Sequence, residues 1–418
     1  MNMQSRVLPA PVMSERRVSW IGAVLVAIGP MSMALYTPAM PEIVHAFGTT
    51  EAAVKLTLSL YFAGFAVAQL VCGPLSDGFG RKPVTYAFMG IFLVASLMAM
   101  LATTVELLIA ARFLQGVGAA VGWAIARAVV RDLFTSERSA RIMNLMGLIL
   151  AAGPAFSPTL GGITMEIAGW HAIFVLMFAS AVVIMLIVRF AMVETVERDL
   201  SRVRPRALLG SYKKVLSSPY FVLSSIVLAG SVGAIYTQAT ILPFILMERV
   251  GLTPSQFGVG MLMQSGFYFL GSLVVRQLLG RFGAFRLVPV GLAFVAVGSA
   301  STAIGLHLFE PTFLLVMGPI AFHAFGIAFV MPAMATATLA PFPNIAGAAS
   351  SMSGFFQMGG GLVGGLLCAA IGEPVVAMST VIPAMGLIAI LSWAVWHRLP
   401  KPAAANIVHA PPPDQPVQ

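Results

Sequence analysis

Apolar segments of about 20 residues follow one another along almost the whole chain, and they limit its fold more than any other feature. A helix needs about 20 apolar residues to cross a bilayer. Only 9% of the residues are charged and 59% are hydrophobic, so we expect an all-α integral membrane protein embedded in lipid. Twelve spans, numbered in chain order, are predicted at residues 18–38, 53–75, 83–103, 107–128, 141–164, 171–191, 219–245, 257–279, 287–307, 312–336, 346–370 and 374–396.

The distribution of charge predicts the orientation in the membrane. Of the 24 Lys and Arg residues, 20 fall in or near the two tails and the loops that follow even-numbered spans. Acidic residues favour the other ends of the spans, at Glu42, Glu51, Glu106, Glu166, Glu248, Glu310 and Glu373. Because cytoplasmic loops are rich in Lys and Arg, we expect both termini in the cytoplasm. The net charge of +9 then reflects topology, and no nucleic-acid partner is expected.

The longest polar interruption divides the chain into two sets of six spans. An offset of 203 residues places Gly48 over Gly251 and Gly80 over Gly283, which indicates a weak internal repeat. Parallel repeats of this kind occur in secondary transporters. The predicted parts are a cytoplasmic tail, a six-helix bundle, a cytoplasmic loop, a second six-helix bundle and a disordered tail, at residues 1–17, 18–192, 193–218, 219–397 and 398–418.

A charged, glycine-rich motif joins spans 2 and 3. It reads Gly73-Pro-Leu-Ser-Asp77-Gly-Phe-Gly80-Arg81-Lys82, and its glycines allow a close reversal of the backbone. We expect a tight turn here at the cytoplasmic surface. The motif resembles the loop between helices 2 and 3 of the major facilitator superfamily of secondary transporters.

Two further motifs strengthen this resemblance. Span 4 contains Arg112-Phe-Leu-Gln115-Gly116-Val-Gly118, and span 5 contains Gly153-Pro154-Ala-Phe-Ser157-Pro158-Thr-Leu-Gly161-Gly162. The second is similar to the antiporter signature of the Bcr/CflA (bicyclomycin/chloramphenicol resistance) branch of drug:proton antiporters. The likeness covers residues 19–399.

The resemblance implies a fold and a function. The fold would be two six-helix bundles related by a pseudo-twofold axis. The function would be export of small lipophilic drugs or metabolites in exchange for protons, across the bacterial inner membrane. The expected protein is a monomer without enzymatic activity, cofactor or metal, and its partners are a small-molecule substrate, protons and lipid.

The resemblance also implies a conformational latch at the cytoplasmic ends of the first bundle. In this hypothesis Asp77 accepts hydrogen bonds from the N-terminus of span 11, where the helix dipole favours an anion. The alternative is a surface ion pair that only fixes topology. The latch residues would be Gly73, Asp77, Gly80, Arg81, Lys82, Arg131 and Asp132.

Coupling residues are harder to identify, because Ala34 stands where the branch usually carries an aspartate in span 1. Arg112 lies at hydrocarbon depth without a carboxylate at matching depth, so we expect Gln115 and carbonyl groups of span 1 near Ser32 to hold it. It either senses occupancy or clamps spans 1 and 4. His323, near the middle of span 10, is the predicted proton carrier, unless it is a buried packing residue or Glu42 at the rim takes that role.

Aromatic, Met and Gln side chains in the central spans predict a substrate cavity, although packing is an alternative role for each. Met and aromatic groups adapt to varied apolar ligands. The predicted cavity residues are Met33, Tyr36, Tyr61, Phe65, Tyr236, Gln238, Gln264 and Tyr268.

Other function classes are disfavoured by missing motifs. The sequence has no phosphate-binding G-x-x-x-x-G-K-[ST] motif for an ATP-driven pump, and no close set of acid and histidine at membrane depth for an intramembrane enzyme. Short loops leave no room for an added receptor domain. An importer of a small metabolite is the remaining alternative to an exporter, and the sequence leaves the substrate open.

Overall fold

A computed structural model describes residues 12–134, 136–200 and 205–400. Its regular structure is helical, and no strand occurs in those three ranges. The expected disordered tail lies outside them from residue 401 onward, as do residues 1–11 of the N-terminal tail. Met13, in the predicted N-terminal tail, is buried, and span 1 begins at Glu15.

The prediction of twelve spans is confirmed. In the described ranges, eleven helical segments are long and apolar enough to cross a membrane, and one of them lies in the 56-residue helix Ser136–Ala191, which is non-helical at Gly169. Gly169 divides that helix into spans 5 and 6. The other spans are Glu15–Phe47, Glu51–Phe79, Arg81–Met100, Val105–Leu133, Pro219–Arg249, Pro254–Phe282, Ala284–Leu308, Phe313–Leu339, Pro343–Ile371 and Pro374–Trp396.

Several spans contain local interruptions. Span 1 passes through a short 3-10 segment, Thr37–Ala39, and span 4 is divided at Ala120 between Val105–Ala119 and Val121–Leu133. Span 7 ends in the π-helical turn Phe244–Arg249. The expectation of a turn beginning at Gly73 is corrected, because span 2 continues to Phe79 and only Gly80, with φ 101°, separates it from span 3.

Glycines with positive φ mark the repeat in the backbone itself. Such φ values are readily accessible only to glycine, and in the described residues they occur in three pairs, each separated by 203 residues: Gly48 and Gly251, Gly80 and Gly283, Gly169 and Gly372. The φ angles are 56° and 84°, 101° and 75°, and 75° and 81°. Corresponding helix junctions in the two halves therefore each contain a glycine with positive φ.

The two sets of six spans form two helical bundles. One large apolar core holds Met13 to Met192 together with Ala239 and Phe244, whereas separate clusters fill the second half. We call the end with Asp77, Arg81 and Arg131 the basic end, and the end with Glu51, Glu166 and Glu373 the acidic end.

An amphipathic helix, Pro205–Leu216, lies between the bundles at the basic end. Its Tyr212 hydroxyl donates to the Leu70 carbonyl of span 2, and its Val215 packs in one cluster with Phe342 and Met352 of the second half. Burial raises the pKa of Tyr212 to about 12, so the hydroxyl stays a donor across the physiological pH range. This helix, which the polar composition of the segment did not predict, contacts both halves.

Candidate functional site

A cavity of about 180 Å³ lies between the two halves, from mid-depth toward the basic end. Spans 1, 2, 4, 7, 10 and 11 contribute its walls. The first half supplies Val26, Gly29, Pro30, Met33, Tyr61, Phe62, Phe65, Gln69, Ala119, Trp123 and Arg127; the second supplies Tyr236, Met331, Ala335, Thr338, Leu339, Ser350, Ser353, Gly354, Gln357 and Met358. A groove of about 1020 Å³ further separates spans 1 and 5 from spans 8 and 10 at the basic end.

Four of the eight predicted cavity residues line this cavity: Met33, Tyr61, Phe65 and Tyr236. The other four lie elsewhere in the structure. Tyr36 is fully buried and its hydroxyl lies 2.7 Å from Thr57 Oγ1. Gln264 donates to Gln238 at 3.1 Å inside the second half, and Tyr268 lines the groove beside spans 1 and 5. Polar and aromatic side chains in the central spans therefore lie in several different environments, and composition alone does not predict which of them line the cavity.

The cavity is apolar at mid-depth and polar toward the basic end. Phe62 and Tyr236, one from each half, pack with their ring centroids 5.4 Å apart. Among the residues that the structure describes, Arg127 is the only charged one that lines the cavity, and its guanidinium carbon lies 4.6 Å from the centroid of the Trp123 ring. The cavity can therefore hold an apolar molecule and offers one cation to it.

Arg112 is fully buried inside the first half and has no carboxylate partner in the described part of the chain. Its Nη1 donates to Gln115 Oε1 at 2.7 Å, and both Nη atoms lie 3.5 Å from the Ser32 carbonyl oxygen. These are the partners that the sequence predicts. The Nε has no hydrogen-bond partner.

Two tyrosine rings complete the Arg112 site, and the sequence did not identify this role. The guanidinium carbon lies 4.4 Å from the Tyr36 centroid and 4.6 Å from that of Tyr61, where the negative ring faces stabilise a cation. The Tyr61 hydroxyl donates to the Gly29 carbonyl at 2.8 Å, and Tyr61 also lines the cavity. Tyr61 is thus in contact with both Arg112 and the cavity.

His323 lies inside the second half and is not in the cavity wall. Its ring is buried, with Nε2 3.2 Å from the Ser231 carbonyl oxygen of span 7 and Nδ1 without a partner. A position lining the cavity was expected for it, because span 10 lines the cavity with Met331, Ala335 and Thr338. His323 instead faces span 7.

Close backbone contacts between spans 5 and 8 seal the acidic end. Gly162 and Gly258 lie so near the backbone of Pro254 and Pro158, respectively, that an added Cβ would clash with it. Gly161 makes a similar contact with Leu35 of span 1. Glu166 then accepts from the backbone N and the hydroxyl of Ser255, at 2.9 and 2.6 Å. Of the remaining signature positions, Gly153 has open space around it, and Pro154 lies within the helix.

Lys55 links the halves at the same end and was not among the predicted site residues. It is fully buried in span 2, where its Nζ donates to Glu51 at 2.9 Å and to the Gly372 carbonyl of the second half at 2.8 Å. The ammonium also lies 5.1 Å from the Phe244 centroid. A lysine near the acidic end of a span was visible in the sequence, but its partner in the other half was not.

The predicted latch residues meet at the basic end within the first half. Arg81 pairs with Asp77 at 2.5 Å and with Asp132 at 3.0 Å, and Arg131 lies 3.9 Å from Asp77. Lys82 donates from Nζ to the last carbonyls of span 6, at Arg189 and Met192. In this state the Asp77 carboxylate is 40% exposed, and a Cβ added at Gly73 would lie 4.0 Å from Ser351 Oγ of span 11.

Glu194 belongs to the same cluster although the sequence did not suggest it. Its carboxylate accepts from the backbone N of Arg81 at 2.8 Å and of Lys82 at 2.9 Å. It therefore caps the first turn of span 3, where unpaired N–H groups favour an anion. The motif is anchored to the end of span 6 by this cap.

Known proteins resemble this one in both sequence and fold. A family described as the Major Facilitator Superfamily matches residues 22–366. Multidrug resistance protein D of Escherichia coli (strain K12) is 26% identical over 376 residues, 88% of this chain and 93% of that protein. Multidrug resistance protein MdtL of Salmonella paratyphi A (strain ATCC 9150 / SARB42) is 31% identical over 343 residues, 80% of this chain and 84% of that protein.

Two solved structures show the same architecture at low identity. A bacterial homologue of the human lysosomal transporter Spinster, in an inward-facing and unoccupied conformation, aligns with a TM-score of 0.69 and 15% identity over 91% of this chain and 96% of its own. The D-xylose–proton symporter aligns with a TM-score of 0.70 and 14% identity over 93% and 99%. The two-bundle fold, the motif at Gly73 to Lys82 and the family match over most of the chain together mean that this protein belongs to the Major Facilitator Superfamily.

Proposed function

We propose that the protein exports small lipophilic molecules by secondary active transport, as a drug efflux protein of the Bcr/CflA type. The observation that carries this proposal is the cavity between the halves, whose mid-depth walls are Met and aromatic side chains. Such walls repack around varied apolar ligands. Sequence similarity to two multidrug resistance proteins over most of their length supports it.

Alternating access would follow from rocking of the two bundles, residues 18–192 and 219–397, around the cavity. The described state is sealed at the acidic end by the span 5 and span 8 contacts, and a groove separates the halves at the basic end. Export requires a second state in which that seal opens and Asp77 meets the N-terminus of span 11. The Asp77 carboxylate is exposed enough in this state to make that contact.

We further propose that the basic end faces the cytoplasm of a bacterial inner membrane, with both termini inside and the protein acting as a monomer. The positive-inside rule supports this orientation. A substrate would then enter from the cytoplasm or the inner leaflet through the groove.

Proton exchange is the proposed energy source. No Asp or Glu of the described ranges lines the cavity, so the proton site would lie apart from the substrate. We retain His323 as its carrier, because Nδ1 is free to accept a proton without breaking the contact between Nε2 and Ser231.

Transport in inside-out membrane vesicles tests the function and its direction. Vesicles from an overproducing strain are expected to accumulate lipophilic fluorescent probes such as dansylglycine and dansylglycinamide when the vesicle lumen is made acidic, and to lose them when the pH gradient is collapsed. Vesicles from a deletion strain provide the baseline. Substrate leaving the vesicles down an imposed proton gradient would instead identify an importer.

A further inference from the structure

The cavity carries a single unneutralised charge. Arg127 is its only ionisable lining residue of either sign apart from Tyr61 and Tyr236, and within residues 12–134, 136–200 and 205–400 no carboxylate lies within ion-pair distance of it. Its guanidinium face is covered by Trp123. Stacking of this kind uses the face of the guanidinium and leaves the N–H edge free for a planar anion.

A second polar group in the same wall is also without a partner. Gln69 is 5% exposed, and its Oε1 has no hydrogen bond. The carboxamide is wedged against Gly354 of the second half, where an added Cβ would overlap it. A buried carbonyl oxygen left unpaired is unfavourable, so a ligand that brings an N–H or O–H group to this wall gains from pairing with it.

We infer that the transported substrates are anionic amphiphiles, each with an apolar or aromatic body, a carboxylate-type group and a nearby hydrogen-bond donor. The body would pack among Met33, Phe65 and Tyr236, the anion would take the free edge of Arg127, and the donor would meet Gln69 Oε1. This inference rests on the proposed efflux function and specifies its substrate class.

The same arrangement disfavours the lipophilic cations that many export assays use. A cationic ligand in this cavity would meet Arg127 with no acidic side chain in the wall to offset it. An anion, by contrast, would turn the uncompensated charge of the half-buried Arg127 into a charge-assisted pair, the stronger type of hydrogen bond. Charge, rather than size, would then separate good from poor ligands.

A matched series of fluorescent probes tests the inference by binding alone. Dansylglycine is an anion, dansylglycinamide is its neutral analogue, and dansylcadaverine is a cation with the same fluorophore. The full chain is reconstituted in phosphatidylcholine nanodiscs, and empty nanodiscs correct for partition into lipid. We expect dansylglycine to bind wild-type protein about 10-fold more tightly than the amide, since a charge-assisted pair contributes about 1.4 kcal/mol or more, and the cation to bind most weakly.

Variants locate the preference. In Arg127→Gln the affinity for dansylglycine is expected to fall to that of the amide, whose own affinity changes by less than about 2-fold. Arg127→Lys keeps part of the preference, and Arg281→Gln, which removes an exposed cation at the basic end, keeps all of it. Gln69→Leu weakens dansylglycinamide and dansylglycine alike.

The possible outcomes distinguish a failure of this inference from a failure of the proposed efflux function on which it rests. Equal wild-type affinities for anion and amide, or a preference that survives in Arg127→Gln, would overturn it; the wild-type comparison decides even where a variant fails to fold. Export of dyes without any anion preference would leave the efflux function standing and sink the substrate class. An anion preference in a protein that moves none of the probes outward would do the reverse.

Discussion

Arg112 is a guanidinium at hydrocarbon depth, held by two tyrosine rings, one carboxamide and one backbone carbonyl. A charge there costs about 2.5 to 3.5 kcal/mol relative to an apolar residue. Each desolvated cation–π contact returns roughly 1 to 2 kcal/mol, and there are two of them, to Tyr36 and Tyr61. The two ring contacts therefore offset much of the free energy that it costs to place the Arg112 charge at this depth. A carboxylate partner would otherwise have to supply that stabilisation.

This accounting predicts the effect of replacing Arg112. Lys lacks the planar face that covers both rings, so Arg112→Lys is expected to lower the unfolding temperature of purified protein by several degrees, corresponding to about 1 to 2 kcal/mol. Arg189→Lys, at an exposed site, serves as the matched control. Differential scanning fluorimetry in one detergent compares them. Equal unfolding temperatures for the two variants would mean that the ring contacts contribute nothing to stability.

His323 gives a second prediction at this scale. If it carries the proton, His323→Gln abolishes substrate-induced proton release from purified protein, because Gln keeps a donor for the Ser231 carbonyl but cannot take a proton. Release is read with a pH indicator in weakly buffered detergent. The comparison variant is Glu42→Gln, at the exposed rim acid. Undiminished release from the His323 variant would exclude His323, and loss in the Glu42 variant alone would move the role to the rim.

Individual residues differ in how far the sequence identifies them. Arg112 was identifiable because a charge inside an apolar span demands partners, and two of them could be predicted: Gln115 lies one turn further along the same helix, and Ser32 lies on span 1. The contact of Tyr36 with Arg112 could not be predicted, because the sequence does not distinguish a buried ring beside a cation from a ring that faces a cavity. Arg127 had a visible signal, a Trp four residues earlier on the same helix face, which predicts stacking.

At the scale of elements, the seal between spans 5 and 8 depends on glycines that bring two backbones together. Gly258→Leu is expected to force these helices apart and shift the protein toward the state open at the acidic end. Gly266→Leu, on the same span with open space around it, controls for helix propensity. Spin labels at Glu106→Cys and Glu310→Cys, in a variant without Cys72 and Cys368, should report a longer distance only for Gly258→Leu.

An unchanged label distance in Gly258→Leu would show that the seal tolerates a large side chain and that glycine there is not needed for closure. The signature in span 5 would then reflect helix packing alone.

The spans themselves were predictable, whereas their ends were not. Hydropathy detects the segment that lies in lipid, and span 2 was therefore expected to stop at residue 75. The helix continues through Ser76 and Asp77 because Arg81 pairs with both side chains. The helix Pro205–Leu216 was not predicted, because hydropathy detects apolar segments. Only part of the surface of this helix is buried, and its composition is polar on average.

In the proposed transport cycle the whole molecule alternates between two states, and Asp77 acts at this scale. If Asp77 binds the N-terminus of span 11 when the basic end closes, Asp77→Asn should reduce vesicle transport about 10-fold, a loss of roughly 1.4 kcal/mol from the closed state. Probe affinity in nanodiscs should stay within about 2-fold of wild type. Glu197→Gln, an exposed acid at the same end, is the control. Wild-type transport by the Asp77→Asn variant would mean that Asp77 only fixes the membrane topology.

Orientation is testable on intact cells. In the variant without native cysteines, Thr49→Cys at the acidic end is expected to react with an impermeant maleimide, and Leu200→Cys at the basic end to react only after permeabilisation. Labelling of both positions from outside, or of Leu200→Cys alone, would contradict cytoplasmic termini.

Backbone packing closes the acidic end in the described state, whereas the proposed closure of the basic end would depend on the charge of Asp77. Backbone packing at Gly162 and Gly258, with the buried Lys55 contact, is almost insensitive to ionic strength, whereas contacts among exposed charges weaken once the screening length falls to about 8 Å at 0.15 M salt. Added electrolyte would therefore weaken the proposed contact of Asp77 with the N-terminus of span 11 and leave the acidic end shut. If the basic end faces the cytoplasm as proposed, a rise in internal potassium would hold more of the population open toward that end, and the osmotic state of the cell would become an input to transport.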